Sequence, residues 1–277
     1  MGALVVFCGI SNAATLTSST TTVEEPDPGK MIGVLDIRPT VAAKAGSWTT
    51  ENYAEIGYQF SKDRTVSYVQ FFNTNLADGS DTTEGVNLTF PGAFVRAKFN
   101  NIWKSQDESW SLGYQPRAYL PLTQADRDRG QIAVIRNYFT FSTKLSNSLS
   151  LSLIELPVVH LYNQAGYTNS DGEATANPMI ENRVYVVAGI TLSDKLSLSL
   201  PLYFHATLNR GFSGASNSGD VSFVLYTWPE LTYTLTDNAS LGFAFVTGNW
   251  VEPDLSGFTL GAAFEQTSAQ VALTLFL

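Results

Sequence analysis

The sequence predicts an all-β fold: a transmembrane antiparallel up-and-down β-barrel of about 12 strands, with 14 as the alternative. Two observations predict it, namely long segments in which every second residue is apolar and connections that alternate between short turns and longer loops. The clearest segment covers residues 196–208, where leucine, phenylalanine and alanine alternate with polar residues. Successive side chains of a strand point to opposite faces, so this segment has one apolar face. A tilted strand needs about 9–11 residues to cross a bilayer.

The same alternation defines the other candidate strands. They cover residues 33–43, 52–61, 65–75, 92–102, 110–122, 132–145, 149–162, 183–192, 196–208, 221–235, 239–249, 257–265 and 269–277. Bacterial single-chain barrels have an even number of strands. We therefore expect 12 strands, with one of these segments belonging to a loop or merging with its neighbour.

The connections differ in length from one end of the predicted barrel to the other. Short polar turns lie at 61–64, 105–108, 146–148, 193–195, 236–238 and 266–268, and longer loops at 76–90, 163–181, 209–220 and 250–256. Outer-membrane barrels have short periplasmic turns and long external loops, so this asymmetry supports the barrel over a soluble all-β sandwich.

Strand parity assigns side chains to the lipid or to the interior. The predicted lipid-facing set is Leu112, Tyr114, Ala118, Leu120, Leu122, Val184, Val186, Ala188, Ile190, Leu192, Val221, Phe223, Leu225, Leu231, Tyr233 and Leu235. A lysine or arginine on this face would cost about 2–4 kcal/mol near the midplane. Glu155 shares the parity of Leu151 and Leu153, so we expect a bulge near 154–157 that turns it inward. The aromatic residues of segment 65–75 fall on both faces and give no assignment.

Composition excludes several classes of protein. Charged residues make up 15% of the 277 residues, against about 25% in soluble domains, and the net charge of −9 disfavours nucleic-acid binding. No stretch of 18 or more apolar residues predicts a transmembrane helix. Much of the acidic charge lies in predicted loops, where a solvated rim is the main interpretation and a divalent-cation site the alternative. The sequence gives no oligomeric state.

The chain divides into three regions. Residues 1–14 are similar to the end of a secretory signal peptide, with an apolar core at 3–10 and a cleavage-like Ser11-Asn12-Ala13, and the missing basic region predicts a start further upstream. The only cysteine, Cys8, would leave with it. Residues 15–30 predict a flexible leader, and residues 31–277 the barrel domain.

The last segment, 271–277, alternates to the end of the chain, with Phe276 penultimate and Leu277 terminal. It resembles the closing strand of Gram-negative outer-membrane β-barrel proteins of the porin type, which commonly end on an aromatic residue. The resemblance implies a bacterial outer-membrane location, and as partners the membrane lipid and lipopolysaccharide, the barrel-assembly machinery and small hydrophilic solutes. It implies no cofactor.

Charged residues of the interior face are the main candidates for function. The basic candidates are Arg38, Arg96, Lys98, Arg117, Arg136 and Arg183, and the acidic ones Asp36, Glu55, Glu155, Glu230 and Glu265. Rings of charge tune pore selectivity, so these residues predict a polar conduit for small hydrophilic or anionic solutes. The alternative is that ion pairs fill a narrow barrel.

Inward tyrosines form a second set: Tyr119, Tyr138, Tyr185, Tyr203 and Tyr226. Such rings can stack on sugars, or act as amphipathic filler. An outer-membrane hydrolase would need a nucleophile beside His160 or His205, and neither histidine has a serine within two residues. Two histidines and one cysteine disfavour a zinc site. The sequence therefore favours a non-enzymatic channel, with a non-conducting receptor, adhesin or anchor as the alternative.

Overall fold

Long alternating strands close into a barrel in the computed structural model, which describes residues 29–42, 48–76, 87–169, 171–259 and 266–277. Strand accounts for 72% and helix for 2%, and the barrel has 12 antiparallel strands with two extra strands outside it. The predicted fold and the preferred strand number are confirmed. No helix of the described residues has the length and apolar character needed to cross a membrane.

The elements follow in chain order. They are β1 (Lys30–Ile37), β2 (Pro39–Ala42), β3 (Trp48–Ser61), β4 (Arg64–Leu76), β5 (Asn87–Lys104), β6 (Trp110–Leu120), α1 (Gln124–Asp128), β7 (Gln131–Lys144), β8 (Leu149–Tyr162), β9 (Gly166–Thr168), β10 (Ala174–Ala176), β11 (Pro178–Ser193), β12 (Leu196–Asn209), β13 (Val221–Thr227), β14 (Glu230–Thr236), β15 (Ala239–Val246) and β16 (Ser268–Phe276). The pairs β1–β2 and β13–β14 each form one interrupted barrel strand, because both members pair with the same neighbour. The strands β9 and β10 pair only with each other.

The first and last strands close the barrel. Val34 pairs with Phe276 and Ile37 with Leu273, in antiparallel register. Beyond them the backbone N–H of Leu277 donates to the Gly33 carbonyl at 2.8 Å, and the Gly33 N–H donates to the Leu277 carbonyl at 3.0 Å. Closure leaves no free sheet edge, which is what lets strands cross a bilayer.

The two ends of the barrel differ in connection length as predicted. The expected short turn at 266–268 is an exception, because it lies at the long-loop end, in the long connection between β15 and β16. Short turns join β3 to β4, β7 to β8 and β11 to β12 at one end. At the other end, α1 and the β9–β10 hairpin lie in longer connections. Asn177 connects the loop that contains α1 with the loop that contains β9 and β10. Its side-chain amide donates to the carbonyls of Arg129 at 2.9 Å and Gln164 at 3.2 Å.

The outer wall is apolar, as the parity assignment predicted. The registers place Ala118 opposite Ile135, Val186 opposite Leu202 and Leu231 opposite Phe243 on this wall. Large apolar side chains stay 36–60% exposed there, among them Ile56, Val95, Leu153, Val186, Leu202 and Phe243. A closed barrel with such a wall is characteristic of the bacterial outer membrane, which is the predicted location.

The expected bulge at 154–157 is wrong. The register of β8 with β11 runs without interruption from Ile180–Val159 to Ile190–Leu149, and it pairs Glu155 with Val184 on the outer wall. Ile154 and Leu156, on either side, are buried in the interior. Glu155 therefore faces outward.

The structure also decides the predictions for segments 65–75 and 257–265. In β4, Val69 pairs with Glu55 on the inner face, so Phe71 points inward and Tyr68 outward. Of the expected strand 257–265, residues 260–265 lie outside the described residues, and with them Glu265. In the remainder, Phe258 forms an isolated bridge to Val251. Most of the predicted segments 1–14 and 15–30 also lies outside the described residues, and β1 begins at Lys30.

Candidate functional site

The barrel interior holds all the basic, acidic and tyrosine residues selected from the sequence that the structure describes, except Glu155. The inward-facing set is Asp36, Arg38, Glu55, Arg96, Lys98, Arg117, Tyr119, Arg136, Tyr138, Arg183, Tyr185, Tyr203, Tyr226 and Glu230. The alternation of strands therefore gathers them within one closed wall.

Three arginines form a continuous row across adjacent strands. Arg96 on β5 is the register partner of Arg117 on β6, which is the register partner of Arg136 on β7. Directly opposed residues of an antiparallel pair have Cβ atoms about 4.5–5.5 Å apart. We call these three residues the arginine row.

One end of the arginine row is neutralised by a carboxylate. Arg96 Nε donates to Glu55 Oε1 at 3.1 Å and to Ser67 Oγ at 3.1 Å, and Arg96 Nη2 also contacts Glu55 Oε2. The Glu55 side chain is almost fully buried, whereas that of Arg96 keeps 13% exposure. The Arg96 side chain is therefore partly exposed.

The other two guanidinium groups lie on aromatic rings. Arg117 Cζ is 4.0 Å from the ring centroid of Tyr138 and 5.0 Å from that of Phe94. Arg136 Cζ is 4.1 Å from the centroid of Tyr119, and its Nη1 donates to the Tyr119 hydroxyl at 3.1 Å. Each such contact contributes about 0.5–2 kcal/mol, more when water is excluded. The rings hold both guanidinium groups in place on the inner wall.

A second ion pair lies at the closure seam. Arg38 Nη2 donates to Asp36 Oδ2 at 3.2 Å, and the Thr274 hydroxyl donates to the same oxygen at 2.6 Å. Glu230 is buried on the inner face of β14 with 4% exposure. Acidic groups thus lie on the strands around the seam, away from Arg117 and Arg136.

Lys98 lies at the short-turn end of the interior. It shares the inner face with Thr65, its partner on β4, near the short-turn end of the barrel. Although it faces inward, its side chain is exposed.

An aromatic cluster fills one sector of the interior. Tyr203 lies 4.8 Å from Tyr185 and 4.7 Å from Tyr226 between ring centroids, and Trp228 lies 5.4 Å from Tyr226. These rings are only 3–6% exposed. Trp228 was not among the residues predicted from the sequence, although it continues the inward parity of Tyr226.

Apolar side chains extend this cluster. Ile154, Leu156 and Val158 are 0–1% exposed and pack with the tyrosines from the inner face of β8. The interior is therefore not polar all round. The arginine row lies beside a packed sector, with Tyr119 in contact with both this cluster and the group of Tyr53, Val69 and Phe94.

Glu181 is a buried carboxylate that the sequence analysis missed. It contacts His160 Nε2 at 2.7 Å and His205 Nε2 at 3.2 Å, and it accepts from Arg183 Nε at 2.8 Å. Its inward parity, two residues before Arg183, was the available indication. The cluster joins β8, β11 and β12 near the long-loop end.

This cluster does not have the geometry of a catalytic triad. The Thr207 hydroxyl lies 2.7 Å from His205 Nε2, the same ring nitrogen that faces Glu181. A triad needs the carboxylate on one imidazole nitrogen and the nucleophile on the other. Among the described residues, no group of three or more histidine, cysteine, aspartate or glutamate side chains could hold a metal ion.

Comparisons with known proteins give the fold. No family model matches the sequence, and no curated protein matches it. Among solved structures, the chain is similar to an outer membrane channel from Pseudomonas putida F1, with 13% identity, a TM-score of 0.62 and coverage of 90% of this chain and 96% of that one. It is also similar to the NanC porin, with 8% identity, a TM-score of 0.52 and coverage of 87% and 98%. The chain has the fold of outer-membrane β-barrel channels.

Proposed function

We propose that this protein is an outer-membrane channel through which small hydrophilic solutes, anionic ones above all, diffuse past the arginine row. The row carries the proposal, because Arg96, Arg117 and Arg136 lie side by side on one wall of the interior, with the Arg96 charge paired to Glu55. Charged side chains at a constriction tune the selectivity of a pore. Passive diffusion needs no cofactor, and we propose no enzymatic activity.

The acidic residues strengthen this proposal. Asp36, Glu55 and Glu230 face the same interior from β1, β3 and β14. With positive charge on β5–β7, they would produce a field across the lumen. An anion would pass close to the arginine row, and the tyrosine rings beside it offer faces on which a sugar ring could stack.

The second candidate is a non-conducting barrel that acts as a receptor, adhesin or anchor through its loops. The aromatic cluster favours it, because Tyr185, Tyr203 and Trp228 are 3–4% exposed and exclude water from their sector. In both cases we expect the outer wall to contact lipid and lipopolysaccharide, and the chain to be inserted by the barrel-assembly machinery.

Planar-bilayer recordings separate the two candidates. In a salt gradient, we expect the wild-type protein to give discrete conductance steps with a reversal potential that indicates anion preference. The double variant Arg117→Ala/Arg136→Ala should shift that potential towards cation preference. Arg64→Ala is the matched control, because Arg64 is exposed and pairs with Phe99 on the outer wall. A folded wild-type barrel without conductance would reject the channel and leave the loop-based function.

A further inference from the structure

The outer wall carries a polar patch in the middle of its apolar band. Glu155 on β8 faces outward between Phe139 on β7 and Val184 on β11. Asn137 and Asn182 lie diagonally on either side of it. Asn182 pairs with Pro157, two residues further along β8, and the β7 register that pairs Arg136 with Val158 brings Asn137 to the same position. We call Glu155, Asn137 and Asn182 the outer polar patch.

The patch lies at mid-height. On β8 the outward residues on the short-turn side of Glu155 are Leu149, Leu151 and Leu153, and those on the long-loop side are Pro157, Val159 and Leu161. Glu155 is therefore central in a strand of 14 residues that crosses the apolar band. Charged side chains on the lipid face destabilise a barrel most at this depth.

The hydrogen-bonding groups of the patch are largely unused. In the part of the chain that the structure describes, neither Glu155 nor Asn182 forms a side-chain hydrogen bond. Asn137 Oδ1 accepts from the Tyr114 hydroxyl at 2.8 Å, which leaves its amide N–H groups free to donate. In hydrocarbon, unsatisfied polar groups of this kind are costly, so the patch points to a polar partner.

We propose that a second copy of this chain docks on the outer polar patch, forming a dimer about a twofold axis along the membrane normal. Both copies have the same orientation in the bilayer. The twofold rotation therefore places the Asn137 side of the patch in one copy opposite the Asn182 side in the other. The Glu155 carboxylate of each copy would then accept from an asparagine amide of the other.

Complementarity within the patch favours a second copy over a different partner. It contains acceptors at Glu155 and amide donors at Asn137 and Asn182, so two identical patches can satisfy each other. Neighbouring outward side chains, Phe139, Val184 and Phe204, provide an apolar rim that can pack against its equivalent. The proposal does not depend on conduction, because no residue of the patch faces the interior.

The mass of the refolded protein in lipid nanodiscs and in mild detergent tests the dimer. Chain purified alone and refolded should give twice the monomer mass by light scattering. Glu155→Leu and Asn182→Leu should each weaken dimerisation about tenfold or more. Gln70→Leu is the control, since Gln70 lies on the outer wall of β4, paired with Ala93, and should leave the dimer unchanged.

Heat-modifiable gel mobility shows that each variant is folded. Folded wild-type barrel that is monomeric at all lipid ratios would overturn the proposal. A dimer that persists unchanged in Glu155→Leu would overturn it too, since the contact would then lie elsewhere. A trimer would reject the twofold arrangement.

Discussion

Arg117 and Arg136 are register partners on adjacent strands, and each guanidinium lies about 4 Å from the ring centroid of a tyrosine. Two like charges directly opposed across a strand pair are destabilising. The rings of Tyr138 and Tyr119 offset this repulsion by cation–π attraction. The positive charge of Arg117 and Arg136 is thus held in the interior at an energetic cost.

Loss of the Glu55 charge should increase anion preference. In Glu55→Gln, Arg96 loses the carboxylate that accepts from its Nε at 3.1 Å, and its positive charge is no longer neutralised. We expect the reversal potential to shift further towards the anion value. Breaking a buried ion pair should also lower the free energy of unfolding by about 3–5 kcal/mol.

Bilayer recordings and urea unfolding measure the two effects of Glu55→Gln. Glu173→Gln is the control, because Glu173 is exposed in the loop between β9 and β10. A shift towards cation preference would contradict the assignment of Arg96 to the selectivity site.

Gly57 should not tolerate a side chain. A Cβ there would lie 2.6 Å from Ser67 Cβ and 2.8 Å from the Val66 carbonyl oxygen, and backbone cannot move aside as a flexible side chain can. We expect Gly57→Ala to lower the free energy of unfolding by about 1–3 kcal/mol through overpacking.

The thermal transition followed by gel mobility measures the Gly57→Ala effect. Gly113→Ala is a matched control, since Gly113 also faces inward but its Cβ would meet its nearest neighbour at 3.6 Å. Equal transition temperatures for the two variants would show that β3 and β4 are less tightly packed than the structure indicates.

Asp107, in the short turn between β5 and β6, should titrate below the usual aspartate range. The Ser105 and Ser109 hydroxyls donate to its carboxylate, at 2.5 and 2.8 Å, and lower its pKa from 3.8 to about 2. Because the folded-state pKa is depressed, these bonds stabilise the turn above the unfolded-state pKa. That stabilisation is lost as the pH falls from about 4 towards 2.

An NMR titration of the labelled carboxyl carbon in micelles measures the Asp107 pKa directly. Ser109→Ala should raise it, because one hydroxyl donor is removed. A wild-type Asp107 value near 3.8 would show that the serine contacts are absent in solution.

Strand parity explains which parts of the site were predictable. Since side-chain direction alternates strictly, the inward assignment of Arg117 or Tyr203 needs only the local sequence. The contacts between inward residues cannot be predicted in this way. The pairing of Glu55 with Arg96, or of Glu181 with His160, depends on the register between strands far apart in sequence. Parity also gives no answer where both faces are apolar, as in β8.

Glu155 shows the limit of the parity argument. Glu155 shares the parity of Leu151 and Leu153, which fits either an outward charge or a bulge. The energetic cost of a charge facing lipid favoured the bulge, yet the register shows an uninterrupted strand. The error came from giving the cost of a charge on the lipid face more weight than the regular alternation of β8. Trp228 was missed for another reason, because the candidates were restricted to charged residues and tyrosines, although its inward parity follows from the predicted strand 221–235.

Removal of Tyr203 should widen the interior. Its ring contacts Tyr185 and Tyr226 and is 4% exposed, so truncation leaves a cavity within the aromatic cluster. For Tyr203→Ala we expect a larger single-channel conductance, because the sector that excludes water becomes hydrated. The free energy of unfolding should fall by about 3–5 kcal/mol, as for other large aromatic truncations.

Single-channel recordings and urea unfolding of the same preparation test the Tyr203→Ala variant. Tyr233→Ala is the matched control, since Tyr233 is 43% exposed on the outer wall of β14 and its loss should leave the conductance unchanged. If Tyr203→Ala lowered stability without changing conductance, the cluster would be structural filler, and the solute path would run along the arginine row alone. An equal conductance change in both variants would instead indicate a general loosening of the barrel rather than a local opening.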